Sequence, residues 1–175
     1  IAPGLHNIGV MLPYTGLHYM LFDDVIDPAF VMTSANAPSE PIVIHNEEAY
    51  ERLGMIVDYF LLHNREISQR CDDSVLRVNL GKPQIIRRSR GYAPAPLYIP
   101  GMKGSSLGVG AKENVNSCLI VDDRAFISQY IGDVEKIETL EFLRAATDHL
   151  LYLTKTRVKV VGCDLHPRFS TRQVA

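Results

Sequence analysis

The chain has 175 residues, 46% hydrophobic and 22% charged, with a formal net charge of −2. That composition supports a core and one or two globular domains, and it argues against a general polyanion binder. The cysteines, Cys71, Cys118 and Cys163, are odd in number and lack a CxxC pair, which disfavours a disulfide framework or a cysteine zinc site and points to a reducing cytoplasm.

No apolar run nears the roughly 20 residues of a membrane span, and no signal peptide is recognisable. Ile1 stands where a methionine would open a complete protein, and the last residues read as the start of a helix. The expectation is an excerpt of a longer protein.

In chain order, residues 8–12 (IGVML) and 30–33 predict short buried strands, with a helix over Leu17 to Phe22 between them. The stretch VMTSANAPSEPIVI, residues 31–44, then runs an apolar strand into a polar crook holding Ser34 and Asn36. Strand ends of this kind are where small-molecule sites on α/β sheets sit, although an ordinary turn has the same composition. Asn46 predicts a helix N-cap, with Glu47 and Glu48 in the first turn and a stop near Gly54. A strand follows at 59–62, then another at 74–80, turning at Gly81-Lys82-Pro83 into 84–88.

Between Arg65 and Arg90 stand six arginines and one lysine against Glu66, Asp72 and Asp73. Guanidinium groups match phosphate oxygens bidentately, so this excess suits a triphosphate or an acyl phosphate; a solvated basic edge strand carries the same charges. Strand alternation puts Arg88 and Arg90 on one face and Arg87 on the other. Asp72-Asp73-Ser74 either orients the arginines, holds Mg²⁺ against phosphate, or makes a turn. The crook and the arginine ribbon are expected to face one anion pocket.

YAPAPLYIPGMKGSS, residues 92–106, predicts an extended linker with the domain boundary at 101–105. Beyond it, Gly108 and Gly110 precede strands at 115–121 and 124–130 joined by Asp122-Asp123; such glycines let a backbone approach phosphate, or mark a bulge. Residues 138–155 carry Leu140, Leu143, Ala146, Leu150 and Leu151 at helical spacing, and a buried strand at 158–162 ends in Cys163-Asp164. Asp164 and His166 are too few for a metal site, so no metal ligand is assigned, and Cys118 and Cys163 are expected in the core. The class is α/β or α+β.

Six segments, IAPGLHNIGVMLPYTGLHYML, VMTSANAPSEPIVI, FLLHNREISQRCDDSVLRV, IRRSRGYAPAPL, AFISQYIGDVEKIETLEFL and VVGCDLHPRFSTRQ, resemble in order the HypF carbamoyltransferase family, which matures nickel–iron hydrogenases. The resemblance implies that residues 1–100 form the later part of a YrdC-like adenylation domain with a twisted mixed sheet. It makes 101–105 the linker and 106–175 the opening of an actin-like (ASKHA) carbamoyltransferase domain.

It further implies ATP, Mg²⁺ and carbamoyl phosphate, a carbamoyl-adenylate intermediate, and transfer to the C-terminal cysteine of the partner HypE. Ser34, Asn36, Arg70, Asp73, Ser74, Arg87, Arg88 and Arg90 would contact nucleotide and phosphates, and Gly108, Gly110 and Asn114 would form the second domain's phosphate loop. Catalytic residues stay unassigned. Zinc and other metal sites fall in parts of the family outside this stretch, which is therefore expected to lack a complete catalytic cycle. The sequence departs from the family at Ala37-Pro38-Ser39-Glu40, where the family commonly has glycine between Ser and Glu. Two other functions stay open: a threonylcarbamoyl-adenylate synthase for tRNA modification, and a non-catalytic double-stranded RNA-binding module.

Overall fold

The computed structural model describes residues 2–23 and 25–175 and divides into two compact units, residues 1–33 and 34–175. In the first unit, α1 (Gly16–Asp23) is the helix predicted from the apolar residues at 17–22. Thr15 Oγ1 accepts the His18 N–H at 3.2 Å, satisfying one of the donors that a helix start leaves open. Phe22 and Phe30 pack with ring centroids 4.5 Å apart and planes tilted by 32°. The expected buried strands at 8–12 and 30–33 form no strand among the described residues, and no residue there is buried. Periodicity selects an extended conformation, but a strand exists only where a neighbour takes up its N–H and C=O groups.

The second unit opens with the polar crook and then α2 (Asn46–Leu53). Its cap is His45, not Asn46; the Asn46 amide instead donates to the His63 carbonyl at 3.2 Å. The stop at Gly54 is as expected. Residues 59–62 again form no strand among the described residues. A hairpin follows, β1 (Val75–Asn79) and β2 (Lys82–Arg87), antiparallel with an irregularity between Val75 and Leu76. Its turn is Leu80-Gly81, both at positive φ (51° and 73°), rather than Gly81-Lys82-Pro83. That is the mirror-image turn whose twist suits two strands, and it places Pro83 inside β2 opposite Val78.

The remaining strands make one sheet in the order β3-β6-β5-β4-β7. They are β3 (Leu97–Tyr98), β4 (Ser105–Gly108), β5 (Cys118–Val121), β6 (Arg124–Ile127) and β7 (Val160–Gly162). β4 and β7 are parallel and the other pairs antiparallel. The proline-rich stretch expected as a free linker is thus partly built into this sheet, since Leu97 and Tyr98 pair with Ala125 and Arg124.

Between β6 and β7 runs α3 (Ile137–Thr154), whose Leu140, Leu143, Ala146 and Leu150 are buried as their spacing predicts. They pack in two clusters, one with Val115, Ile131 and Val134, the other with Leu107, Val109 and Leu119. Cys118 is half-buried in β5, where burial pushes its thiol pKa up, whereas Cys163 is exposed. The strand expected to be buried at 158–162 is instead β7 at the edge of the sheet with all three residues exposed, and Cys163 just past it is exposed with them.

Candidate functional site

The crook is held by its own amide. Asn36 Nδ2 donates to the carbonyls of Ala37 (3.0 Å) and Glu40 (2.8 Å), and the backbone closes with Asn36 N–H to Ser34 O at 3.1 Å and Val43 N–H to Ala35 O at 2.9 Å. Ser39 sits at φ 62°, in the left-handed region. Ser34 is exposed and Asn36 half-buried. Asn36 is therefore a bracket for the loop, which leaves Ser34 as the member of the pair on the surface.

Glu40 ties this loop to the second half of the chain. Its carboxylate meets Lys136 Nζ at 2.9 Å and Arg52 at 2.9 Å, and Lys136 also donates to Pro38 O at 3.1 Å. The hydrogen bond from Lys136 is the main cause that holds the Glu40 pKa below its ordinary value; loss of water opposes it, and the Lys136 charge and the Arg52 hydrogen bond and charge add to the lowering. Lys136 was absent from the predicted site, and it stands at the start of α3. A lysine is an unusual N-cap, with no side-chain oxygen to offer and a charge the helix dipole disfavours.

The arginines divide differently from strand alternation. β2 ends at Arg87, so Arg88 and Arg90 lie past the region where alternation holds. Arg87 Nε donates to Asp73 O at 3.0 Å and Arg90 Nε lies 3.4 Å from Asp73 Oδ1, so these two converge on Asp73. Arg88 turns to the carbonyls of Tyr92 (2.7 Å) and Ala95 (2.8 Å), with its Nε buried and unpartnered. Arg70 Nε donates to Ile42 O, and its guanidinium lies 5.2 Å from the centre of the Phe142 ring. Burial lowers the Arg70 pKa, chiefly by stripping water from the charge.

Ser74 is a second bracket. Its hydroxyl donates to Arg90 O and accepts the N–H of fully buried Ser89, both at 2.8 Å, fixing the turn between the arginines. Asp72 is pushed up by burial, with Arg87 opposing, and its carbonyl accepts the Arg90 N–H at 3.1 Å. Two cavities, of about 310 and 350 Å³, lie elsewhere: one beside Pro94, Phe126 and Leu150, the other at the hairpin turn. Neither is lined by Ser34, Asn36 or arginines 70, 87, 88 and 90, so the expected common anion pocket is not one of them. The physical reason lies in the bonds just given: these guanidinium groups fold onto backbone carbonyls and onto Asp73.

In the second half, Gly108 closes β4 and is flanked by Cys118 and Gly162 in the sheet. Gly110 has φ 70°, and a Cβ there would meet Asn116 O and Val115 Cγ1 at 3.0 Å, so glycine is required. Asn114, at φ 51°, donates its N–H to Asp133 Oδ1 at 2.8 Å and accepts from the Tyr130 hydroxyl at 3.1 Å. Asp164 and His166 form a local turn, Asp164 Oδ1 accepting the His166 N–H at 2.7 Å. Among the described residues no group of three or more His, Cys, Asp or Glu could hold a metal ion, and no helix is long and apolar enough to cross a membrane.

Residues 1–89 match the Sua5–YciO–YrdC family, described as "Telomere recombination", and residues 102–175 match the HypF Kae1-like domain. The chain is 46% identical over 98% of its length to a probable carbamoyltransferase HypF of Methanocaldococcus jannaschii. It is 44% identical over its whole length to the carbamoyltransferase HypF2 of Cupriavidus necator. It covers 22% and 24% of those proteins, about a quarter of their length. Among solved structures, a full-length HypF in its phosphate- and nucleotide-bound form superposes on all of the chain with a TM-score of 0.92 at 40% identity. The HypF of T. kodakarensis does so on 99% of the chain, also at 0.92, with 46% identity.

Proposed function

The chain belongs to the HypF family, and from that premise we propose that it serves ATP-dependent carbamoyl transfer, with carbamoyl phosphate as the carbamoyl source. The observation that carries this reading is the 40%-identical relative, alike in fold over the whole chain, whose crystal form holds phosphate and nucleotide. The first step is adenylation. Hydrolysis of carbamoyl phosphate by water gives carbamate and inorganic phosphate, and the carbamate oxygen then attacks the α-phosphorus of ATP, forming carbamoyl-adenylate as pyrophosphate leaves. Negative charge grows on the phosphoryl oxygens, and guanidinium groups already fixed in direction stabilise it without reorganising.

In this chain that fixing is the work of Asp73, which engages Arg87 and Arg90, and of the Tyr92 and Ala95 carbonyls, which engage Arg88. Ser34 offers a hydroxyl from the crook that Asn36 braces. The second step passes the carbamoyl group from carbamoyl-adenylate to the C-terminal cysteine sulfur of HypE, which gives up its proton as AMP leaves, with Gly108–Asn114 facing phosphate. Among the described residues no group builds a magnesium cage: Asp73 already faces Arg90, and burial disfavours the charged form of Asp72. Any Mg²⁺ would arrive with the nucleotide's own phosphates.

The experiment is ATP–pyrophosphate exchange by the family-length protein carrying this chain. Exchange that depends on carbamoyl phosphate is expected. Exchange that depends instead on threonine and bicarbonate would replace this reading with threonylcarbamoyl-adenylate synthesis, which the match of residues 1–89 also accommodates. Steeply salt-dependent binding of double-stranded RNA without exchange would make the chain a binding module.

A further inference from the structure

Tyr130 stands between the arginine strand and the Gly110–Asn114 loop, and each of its three parts meets a different neighbour. Its ring faces the Arg87 guanidinium, 5.4 Å from carbon to centroid. Its N–H donates to Arg88 O at 3.0 Å. Its hydroxyl donates to Asn114 Oδ1 at 3.1 Å. The Asn114 N–H is held separately by Asp133 Oδ1, so backbone and side chain of Asn114 are anchored from the same strand exit.

We propose that Tyr130 is a positioning residue that sets the Asn114 amide in register with Arg87, so that the amide's NH₂ faces a phosphate-bearing ligand of the second-domain loop. This rests on the functional reading above. An amide has one acceptor end and one donor end. With Oδ1 taken by the phenol, the amide's two N–H donors are left at its other end, and Asn114 is an exposed residue, so those donors are available to an anion. Without the hydroxyl the amide is free to turn over and present oxygen to the anion, a repulsive contact. The ring's contact with Arg87 does not depend on the hydroxyl, so Tyr130→Phe separates the two roles.

In the family-length protein, Y130F is expected to lower the ratio of carbamoyl transfer to ATP–pyrophosphate exchange about three- to tenfold, the worth of one hydrogen bond. N114D, which keeps the acceptor for the phenol but removes the donors, is expected to lower that ratio at least as far. The Y130F/N114D double variant is expected to be no worse than N114D alone. A Y130F protein with an unchanged ratio, or losses that multiply in the double variant, overturns the proposal.

A structural arm is independent of catalysis: the NMR signals of the Asn114 side-chain amide should move in Y130F while those of Asn36, braced by its own loop, stay in place. Asn114 signals that do not move overturn the proposal whatever the activity. Absence of exchange in the unsubstituted protein overturns the functional reading instead, and the amide signals still decide the role of Tyr130.

Discussion

The hairpin β1–β2 and the sheet that carries α3 are made of similar residues and held by different means. In the hairpin, Val78 is 73% exposed and Ile86 66%, and no residue of either strand is buried. Around α3, Leu143 and Leu119 are fully buried and the apolar residues of three strands close over the helix. A two-stranded ribbon with both faces open has little apolar burial to offset its chain entropy. What holds this one is polar: Ser74 between Ser89 and Arg90 and Arg87 on Asp73 close its base, and the Tyr130 N–H to Arg88 O ties that base to the second half. The region that supplies the cationic groups is thus fixed by hydrogen bonds, and the region it rests on is fixed by packing.

The largest effect that could break this contrast is a cavity. Leu143→Ala removes a fully buried side chain from the centre of the α3 cluster and should cost about 2–5 kcal/mol. Val78→Ala, its counterpart in the hairpin, should stay within about 0.5 kcal/mol. Hydrogen exchange of the α3 amides reads the first and of the β1 amides the second. Equal losses at the two sites would mean that the hairpin face is packed in solution.

How much of this was legible in the sequence follows the same division. The α3 helix is plain because Leu140, Leu143, Ala146 and Leu150 share one face and need only a sheet to lie on. The segments at 8–12, 30–33 and 59–62 are apolar in the right way, but pairing depends on a neighbour that local pattern does not specify. Gly108–Ser105 hides as a strand because two serines and a glycine weaken the apolar signal of β4.

At the site, Ser34, Asn36 and the arginines stand out by residue type. What they touch does not: the arginine grouping turned on where β2 stops, at Arg87. Tyr130 and Lys136 are ordinary residues until the fold sets them beside Asn114 and Glu40. Positions that act by bridging distant segments carry no local signature.

A smaller effect sharpens the polar half of the contrast. Ser74→Ala deprives the buried Ser89 N–H of its acceptor and frees the Arg90 carbonyl, at a cost of about 1–3 kcal/mol for the orphaned donor. Ser74→Thr keeps the hydroxyl and should recover most of it. Adenylation, measured as exchange, should fall with S74A by a similar factor if Ser74 holds Arg87 and Arg90 in register. Loss of stability with exchange intact would confine Ser74 to a structural role.

The smallest effect concerns the ion pair that ties the crook to the N-terminus of α3. The Glu40 pKa is depressed in the folded chain, chiefly by the hydrogen bond from Lys136. A depressed carboxyl contributes stability that is fully present above its unfolded value, near 4.5, and is lost as pH falls through the lower folded value. The tie should therefore be closed at neutral pH and open in acid.

Asp72 runs the other way. Burial raises its pKa, so its folded form binds the proton more tightly than the unfolded chain, and its contribution fades as pH rises through the raised value. Glu40→Gln removes the first trend and leaves the second. Amide exchange at residues 36–40, followed from neutral pH down past 4.5, should accelerate in the unsubstituted protein and, after correction for intrinsic rates, stay flat in E40Q. The difference should shrink in high salt because both partners are near the surface. Exchange in the unsubstituted protein that stays flat through both acid and salt would assign the tie to the Lys136–Pro38 carbonyl bond rather than to the ion pair.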